Sequence, residues 1–187
     1  METNALGITH RYMKQVIQSG DRVIDATAGN GHDTLFMAKL VGKNGHITAF
    51  DIQPQALENT KKRLEKEAVD GQVTLILDGH QNMKQYVEGP VKAVTFNFGY
   101  LPGGDHHICT HADTSIAAIL AALELISEDG MVLLGIYYGG DSGFEEKDAL
   151  MAFLKTLDPH EYSVLCHDFI NYPNCPPLAV RIIKEKR

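Results

Sequence analysis

The stretch Asp25-Ala26-Thr27-Ala28-Gly29-Asn30-Gly31-His32-Asp33-Thr34 places two carboxylates and two hydroxyls around a pair of glycines. Small residues let a ligand approach the backbone, and the first N–H groups of a following helix are free to meet it. Asp51 stands 26 residues after Asp25, at the end of the next apolar run, where a carboxylate accepts hydrogen bonds from both hydroxyls of a ribose. Asp78-Gly79-His80 closes the apolar run after that. An acid, a glycine turn and a second acid in this order form a nucleoside-binding arrangement. A dinucleotide fingerprint is incomplete, because Thr34 stands where G-x-G-x-x-G requires its third glycine, and the lysine of a phosphate-binding P-loop is absent. A dinucleotide oxidoreductase is therefore the weaker reading of the turn.

A second group follows the fourth apolar run. It reads Phe96-Asn97-Phe98-Gly99-Tyr100-Leu101-Pro102-Gly103-Gly104-Asp105, then His106-His107-Ile108-Cys109-Thr110-His111. The Asn97 amide carries an acceptor oxygen and a donor nitrogen, and Tyr100 offers a face on which a base or sugar stacks. Histidine and cysteine are the common zinc ligands, but adjacent and alternate ligands within six residues do not match paired tetrahedral spacing, so no metal is expected. Imidazoles near neutrality can instead contact phosphate at a substrate mouth. Arg11 and Lys14, on an N-terminal helix, are the scattered cations that would join them, while the Lys61–Lys66 group is interleaved with Glu58, Glu65 and Glu67 and reads as a solvated helix face.

Alternating apolar runs and amphipathic stretches must position these groups. Strands are expected at Val23–Ala26, His46–Phe50, Val73–Leu77, Val91–Phe98, Met131–Tyr138, Tyr162–Ile170 and Leu178–Ile183. Helices are expected at Gly7–Gln18, Asp33–Leu40, Pro54–Lys66, Thr114–Ile126 and Glu145–Leu157, with a short polar one near Gln81–Val87. Asp129-Gly130 should close a loop before the fifth strand, and the helix Gly7–Gln18 should lie over the mouth of the sheet. Strands that alternate with helices imply an α/β doubly wound, seven-stranded, mostly parallel sheet. The last two strands, joined by a short loop, must run antiparallel as a C-terminal hairpin. In such sheets the ligand sits at the carboxyl ends of the strands, beside strand one.

The 187 residues fit a single domain spanning 1–187. With 44% hydrophobic and 22% charged residues the composition is that of a globular protein, and no apolar stretch approaches the ~20 residues of a membrane helix. No secretory signal opens the chain, and three cysteines without CxxC spacing suit reduced thiols, so a cytoplasmic protein without membrane partners is expected. The formal charge of −7 opposes nucleic acid over the surface as a whole, so an RNA partner requires a local patch.

Asp25–Gly31 resembles the first motif of the Rossmann-like class I S-adenosylmethionine-dependent methyltransferases, with Thr27 in place of the usual first glycine. The resemblance implies S-adenosyl-L-methionine as cofactor. It implies that Asp25, Thr27, Gly29, Asn30, Gly31, Asp33 and Thr34 hold the methionine part, that Asp51 and Gln53 hold the ribose, that Asp78 and His80 lie by the adenine, and that Asn97 borders the reacting group. Val23–Thr34, Ala49–Gln53, Phe96–Asp105 and Phe169–Pro177 are more specifically similar to the rRNA methylase family that includes the tRNA 5-(aminomethyl)-2-thiouridine methyltransferases. That likeness covers nearly the whole chain. It implies methylation of the aminomethyl nitrogen of a wobble uridine, with Asn97 and Tyr100 catalytic and Tyr100 and Pro102 facing the substrate, where His106 and Arg11 are expected from their own chemistry to join them. The anticodon stem-loop of tRNA would be the partner, and a homodimer is compatible. One segment departs: Tyr137-Tyr138-Gly139-Gly140-Asp141-Ser142-Gly143 lacks the histidine this family tends to carry there, which puts substrate identity in question. Methylation of ribosomal RNA or a small amine, and a non-catalytic cofactor- or RNA-binding module, remain as alternatives.

Overall fold

The computed structural model describes residues 4–101, 103, 108–139 and 143–185. The chain runs α1 (Ala5–Val16), β1 (Arg22–Asp25), α2 (His32–Val41), β2 (His46–Asp51), α3 (Pro54–Lys66), β3 (Val73–Leu77), β4 (Val91–Phe98), α4 (Ala112–Leu125), β5 (Ile126–Ile136), α5 (Gly143–Leu154), β6 (Tyr162–His167) and β7 (Leu178–Lys184). A 3-10 turn at His80–Gln85 stands between β3 and β4. Local chemistry marks several of these ends. The Asn4 side chain accepts from Gly7 N at 2.8 Å and caps α1, Gly31 enters α2 in the left-handed region at φ 77, and Pro54 opens α3, where its missing N–H costs no helical bond.

The seven strands order as β3-β2-β1-β4-β5-β7-β6. Adjacent pairs among the first five strands are parallel, and β7 runs antiparallel to both of its neighbours. The order reverses between β1 and β4, where crossovers leave opposite faces and a crevice opens beyond the strand ends. Asp25 at the end of β1 pairs with Ala49 of β2 and Thr95 of β4, so the turn after β1 lies between the ends of both neighbours.

Both faces are covered. On one, Met13, Val16, Met37, Val41 and Leu64 from α1, α2 and α3 pack on Val23, Ile47 and Leu133. On the other, Ile119, Ala122 and Leu150 from α4 and α5 pack on Ile24, Phe96 and Val132. Phe96 and Phe98 stack at 5.0 Å and are fully buried, which explains why β4 reads as an almost unbroken apolar run.

Three expectations need correction. No loop separates α4 from β5: Ile126 pairs at once with Val91, and the register then jumps to Ala93–Met131, so 127–130 form a bulge in the strand with Asp129 in the left-handed region beside Lys92. The helix α1 lies along the face of β4, β5 and β7, and only Leu6, near its start, reaches the mouth. The last strand, β7, inserts between β5 and β6, which ends at His167 rather than Ile170.

Candidate active site

The turn after β1 is built from the inside out. Asp25 has no exposed surface; its carboxylate accepts from Thr34 Oγ1 at 2.6 Å and from Thr27 N at 3.2 Å. Burial, with the nearby charge of Asp33, pushes its pKa up to about 7, against the lowering effect of those two bonds. From outside, α3 holds the same turn: Thr60 Oγ1 donates to Gly29 O at 3.0 Å, Arg63 Nε to Asn30 O at 2.7 Å, and Asn59 Nδ2 to Asn30 Oδ1 at 2.9 Å. Arg63 therefore braces the turn, unlike the solvated Lys61 and Lys62 beside it. A Cβ on Gly31 would lie 2.8 Å from Thr60 Cα, so only glycine allows this approach.

The turn forms one wall of a cavity of about 520 Å³ at the carboxyl ends of β1, β2 and β4. Asp51 lies on the next wall, its carboxylate accepting from Gly29 N and Gln53 N, each at 2.9 Å. Burial raises its pKa, and the backbone N–H bonds work against that rise. Further along, Asp78 accepts from Asn82 Nδ2 at 2.9 Å, Tyr86 OH at 2.8 Å and its neighbour Gly79 N at 2.7 Å, and these bonds hold its carboxyl below the usual range. His80 lies edge-on to Phe96 and Phe98 with Nδ1 3.3 Å from Ala26 O. Burial lowers its pKa to about 4, so at neutral pH it is an uncharged ring lining the cavity.

At the end of β4, Asn97 Nδ2 donates to Asp33 Oδ2 at 2.7 Å, and Asn97 N donates to Thr27 Oγ1 at 2.7 Å. The other Asp33 oxygen lies 2.6 Å from His10 Nε2, whose ring stacks on Phe36 at 3.9 Å. Because a carboxylate oxygen accepts, the Asn97 amide presents its nitrogen to Asp33, which places its oxygen beside Gly135. Tyr100, Leu101, Ile108 and Tyr137 close the outer side of the cavity.

Of the residues expected from sequence, Thr27, Gly29, Asn30, Asp33, Asp51, Gln53, Asp78, His80, Asn97 and Tyr100 line this cavity. Asp25, Gly31 and Thr34 are buried behind its wall and shape it. Arg11 is exposed on α1, its guanidinium 5.4 Å from the Tyr12 ring, and does not line the cavity. Pro102 and His106 lie outside the described residues. Sequence reasoning missed His10, which reaches Asp33 across the α1–α2 packing, and Tyr137, an aromatic just past β5. Among the described residues no three histidine, cysteine or acidic side chains group as metal ligands, and no helix is long and apolar enough to cross a membrane.

Residues 47–183 match the family model described as "Putative rRNA methylase". The chain belongs to this family. It is 36% identical, over 97% of its length and 70% of the relative, to the chloroplastic tRNA (mnm(5)s(2)U34)-methyltransferase of Arabidopsis thaliana. A crystal structure of a "putative rRNA-methylase" from Clostridium thermocellum superposes with a TM-score of 0.97 at 51% identity, covering 98% of this chain and 99% of that one. A "putative methyltransferase" from Streptococcus mutans, solved in complex with SAH, gives 0.90 at 37% identity and the same coverage.

The rRNA methylase chain is thus a Rossmann-like, S-adenosylmethionine-dependent methyltransferase. Its cavity fits that cofactor on physical grounds: the Asp51 carboxylate is half-buried at the wall with lone pairs left for a diol, Gly29 leaves open backbone, and the volume is that of a small-molecule site. The bound cofactor supplies a methyl group on a sulfonium, an electrophile that needs no metal or acid. What the protein must add is a nucleophile held at the right distance.

Proposed function

We propose that this enzyme methylates the exocyclic aminomethyl nitrogen of a 5-aminomethyluridine at the wobble position of tRNA. The observation that carries the reading is the Asp33–Asn97 pair at the end of β4, with Tyr100 three residues further on the same wall. Transfer requires an amine whose lone pair faces the methyl group. The Asn97 amide oxygen accepts one N–H of that amine and turns its lone pair inward, while Asp33, itself held by His10, keeps the amide from rotating. The nitrogen–carbon bond forms as the sulfur–carbon bond breaks, its electron pair returns to sulfur, and the resulting ammonium sheds one proton to solvent. Tyr100 and Tyr137 give the pyrimidine an aromatic wall, and unpaired anticodon bases suit such a site because they can be splayed out and stacked. The likeness to the Arabidopsis tRNA enzyme supports the same substrate class.

The cofactor contacts belong to this proposal. Gly29 and Asn30 meet the methionine part, Asp51 and Gln53 the ribose, and Asp78 and His80 border the adenine. The anticodon stem-loop is the partner, reached from the side of Arg11 and of the loop after β4. A second reading, a small amine or ribosomal RNA as acceptor, draws on the formal charge of −7, which suits a small acceptor better than a polyanion. The test is transfer of label from methyl-labelled S-adenosylmethionine to tRNA bearing the aminomethyl group and to the same tRNA lacking it. Labelling of the first alone supports the proposal. Equal labelling of both, or labelling of ribosomal RNA instead, overturns it.

A further inference from the structure

Glu146 is a buried acid outside the cavity, in the first turn of α5, with 7% of its surface exposed. Its Oε2 accepts from Thr110 Oγ1 at 2.7 Å and its Oε1 accepts from Ser115 Oγ at 2.7 Å. Ser115 is fully buried in α4. Thr110 ends the segment that leaves β4. There Thr110 N donates to Gly99 O at 2.9 Å, and Gly99 N donates to Thr110 Oγ1 at 2.8 Å. One step outward, Tyr100 and Cys109 form an antiparallel bridge. The stretches 99–101 and 108–110 are thus pinned to each other, and Gly99, Tyr100, Leu101, Ile108, Cys109 and Thr110 from them line the cavity.

The direction of these bonds matters. A hydroxyl has one proton, and Thr110 donates it to Glu146, so the lone pairs of Oγ1 are left to receive Gly99 N. The carboxylate therefore sets the polarity of a chain from Gly99 N–H through the Thr110 hydroxyl to Glu146, in which each bond strengthens the next. A buried carboxylate is costly unless satisfied, so the loop end, α4 and α5 are held together by one group. Its place in the first turn of α5 also puts its charge near the positive end of that helix dipole. Gly99 is itself constrained, at φ 146 and with an added Cβ only 3.1 Å from the Tyr137 side chain, so a shift of the pinned end moves both aromatic walls.

We propose that Glu146 is a positioning residue for the acceptor: through Thr110 it fixes Gly99, and hence Tyr100 next to it, in the place where a stacked pyrimidine is held. The proposal rests on the reading of the cavity as an RNA-methylating site for its substrate effects, but the clamp itself does not depend on it. Glu146 neither lines the cavity nor bonds to the turn after β1, so it acts on the site only through Thr110 and the stretch that Thr110 holds.

The test uses E146Q and T110V in the full chain, with T110S as the conservative variant. A glutamine turns one acceptor into a donor, so either the Thr110 or the Ser115 hydroxyl must reverse and the Thr110 bond loses its charged partner, and valine removes the Thr110 hydroxyl at nearly constant shape. In both variants, exchange of the Gly99 amide should rise about 10-fold or more, the expected loss for a bond supported by a charged group, while SAH affinity changes by less than about 2-fold. KM for the RNA should rise by about 10-fold, more than kcat falls, and T110S should restore both exchange and KM. The proposal is overturned if Gly99 exchange does not change, if SAH binding weakens in step with KM, or if T110S behaves like T110V. Exchange and SAH binding need no RNA, so protection of Gly99 lost in both variants upholds the clamp even where an RNA substrate fails. In that outcome the functional reading falls alone.

Discussion

Asn97 and Asp33, 64 residues apart in sequence, meet through a single 2.7 Å hydrogen bond in which the amide nitrogen is the donor and the carboxylate Oδ2 the acceptor. Asp33 is 6% exposed and its other oxygen is held by His10, so the pair is fixed from behind. The amide orientation follows from the carboxylate, and the acceptor oxygen follows from the amide.

Removing that oxygen should cost rate more than cofactor binding. We expect N97A to lower kcat by about 100-fold, the loss typical of a misplaced reactant, with SAH affinity nearly retained. H10A leaves the Asp33–Asn97 bond in place and should cost only about 10-fold. Steady-state kinetics with parallel calorimetric SAH titration check both.

Gly135 tests the same geometry from the opposite side. A Cβ built there stands 2.7 Å from Asn97 Oδ1 and 3.3 Å from the Tyr137 ring, so G135A must displace the amide oxygen. Gly135 does not occupy the left-handed region, so alanine brings no backbone strain with it. We expect kcat to fall about 10-fold or more, with a stability loss of about 1–3 kcal/mol from local overpacking, read by kinetics and thermal melting of the same preparation.

Gly31 differs, because its substitution strikes backbone. At φ 77, with Thr60 Cα 2.8 Å from the added Cβ, G31A combines left-handed strain with a clash against α3. A loss of about 3 kcal/mol is expected, lowering Tm by roughly 10 °C.

Asp25 gives stability a pH dependence of known sign. Its folded pKa is raised from 3.8 to about 7, so folding favours the protonated form. That contribution is fully present below about pH 4 and is lost as pH rises through 7. Denaturant titrations from pH 5 to 7 should show wild-type stability falling relative to D25N by about 1 kcal/mol per pH unit. His80, lowered to about 4, acts in the opposite sense below pH 6.5, and because it is present in both proteins it cancels from the difference.

Much of the site was legible because it sits where local rules are strongest. Asp51, Asp78 and Asn97 are polar residues at or just beyond the ends of apolar runs, and strand ends at a reversal of sheet order are where an α/β fold presents its ligand. Asp25 shows where those rules stop. An acid that lines a pocket and one that braces it look alike in sequence, and the discriminating partner, the Thr34 hydroxyl, lies nine residues further on the facing helix. His10 carried no local signal, since its role arises from the packing of α1 beside α2 and its stack on Phe36. Similarly, the bulge at 127–130 is set by pairing with β4 rather than by the Asp129-Gly130 turn signal, which places it without showing that the strand continues on both sides.

The central claim is the acceptor atom. The most direct measurement is mass spectrometry of nucleosides from tRNA bearing 5-aminomethyl-2-thiouridine, after reaction with S-adenosylmethionine and either the wild-type enzyme or N97A. The account predicts one methyl group gained by the wild-type reaction, located by fragmentation on the aminomethyl nitrogen of the wobble uridine, and about 100-fold less product with N97A at equal times. A methyl group on a ring atom, on a ribose or on another nucleotide, or product formed equally by N97A, would contradict it.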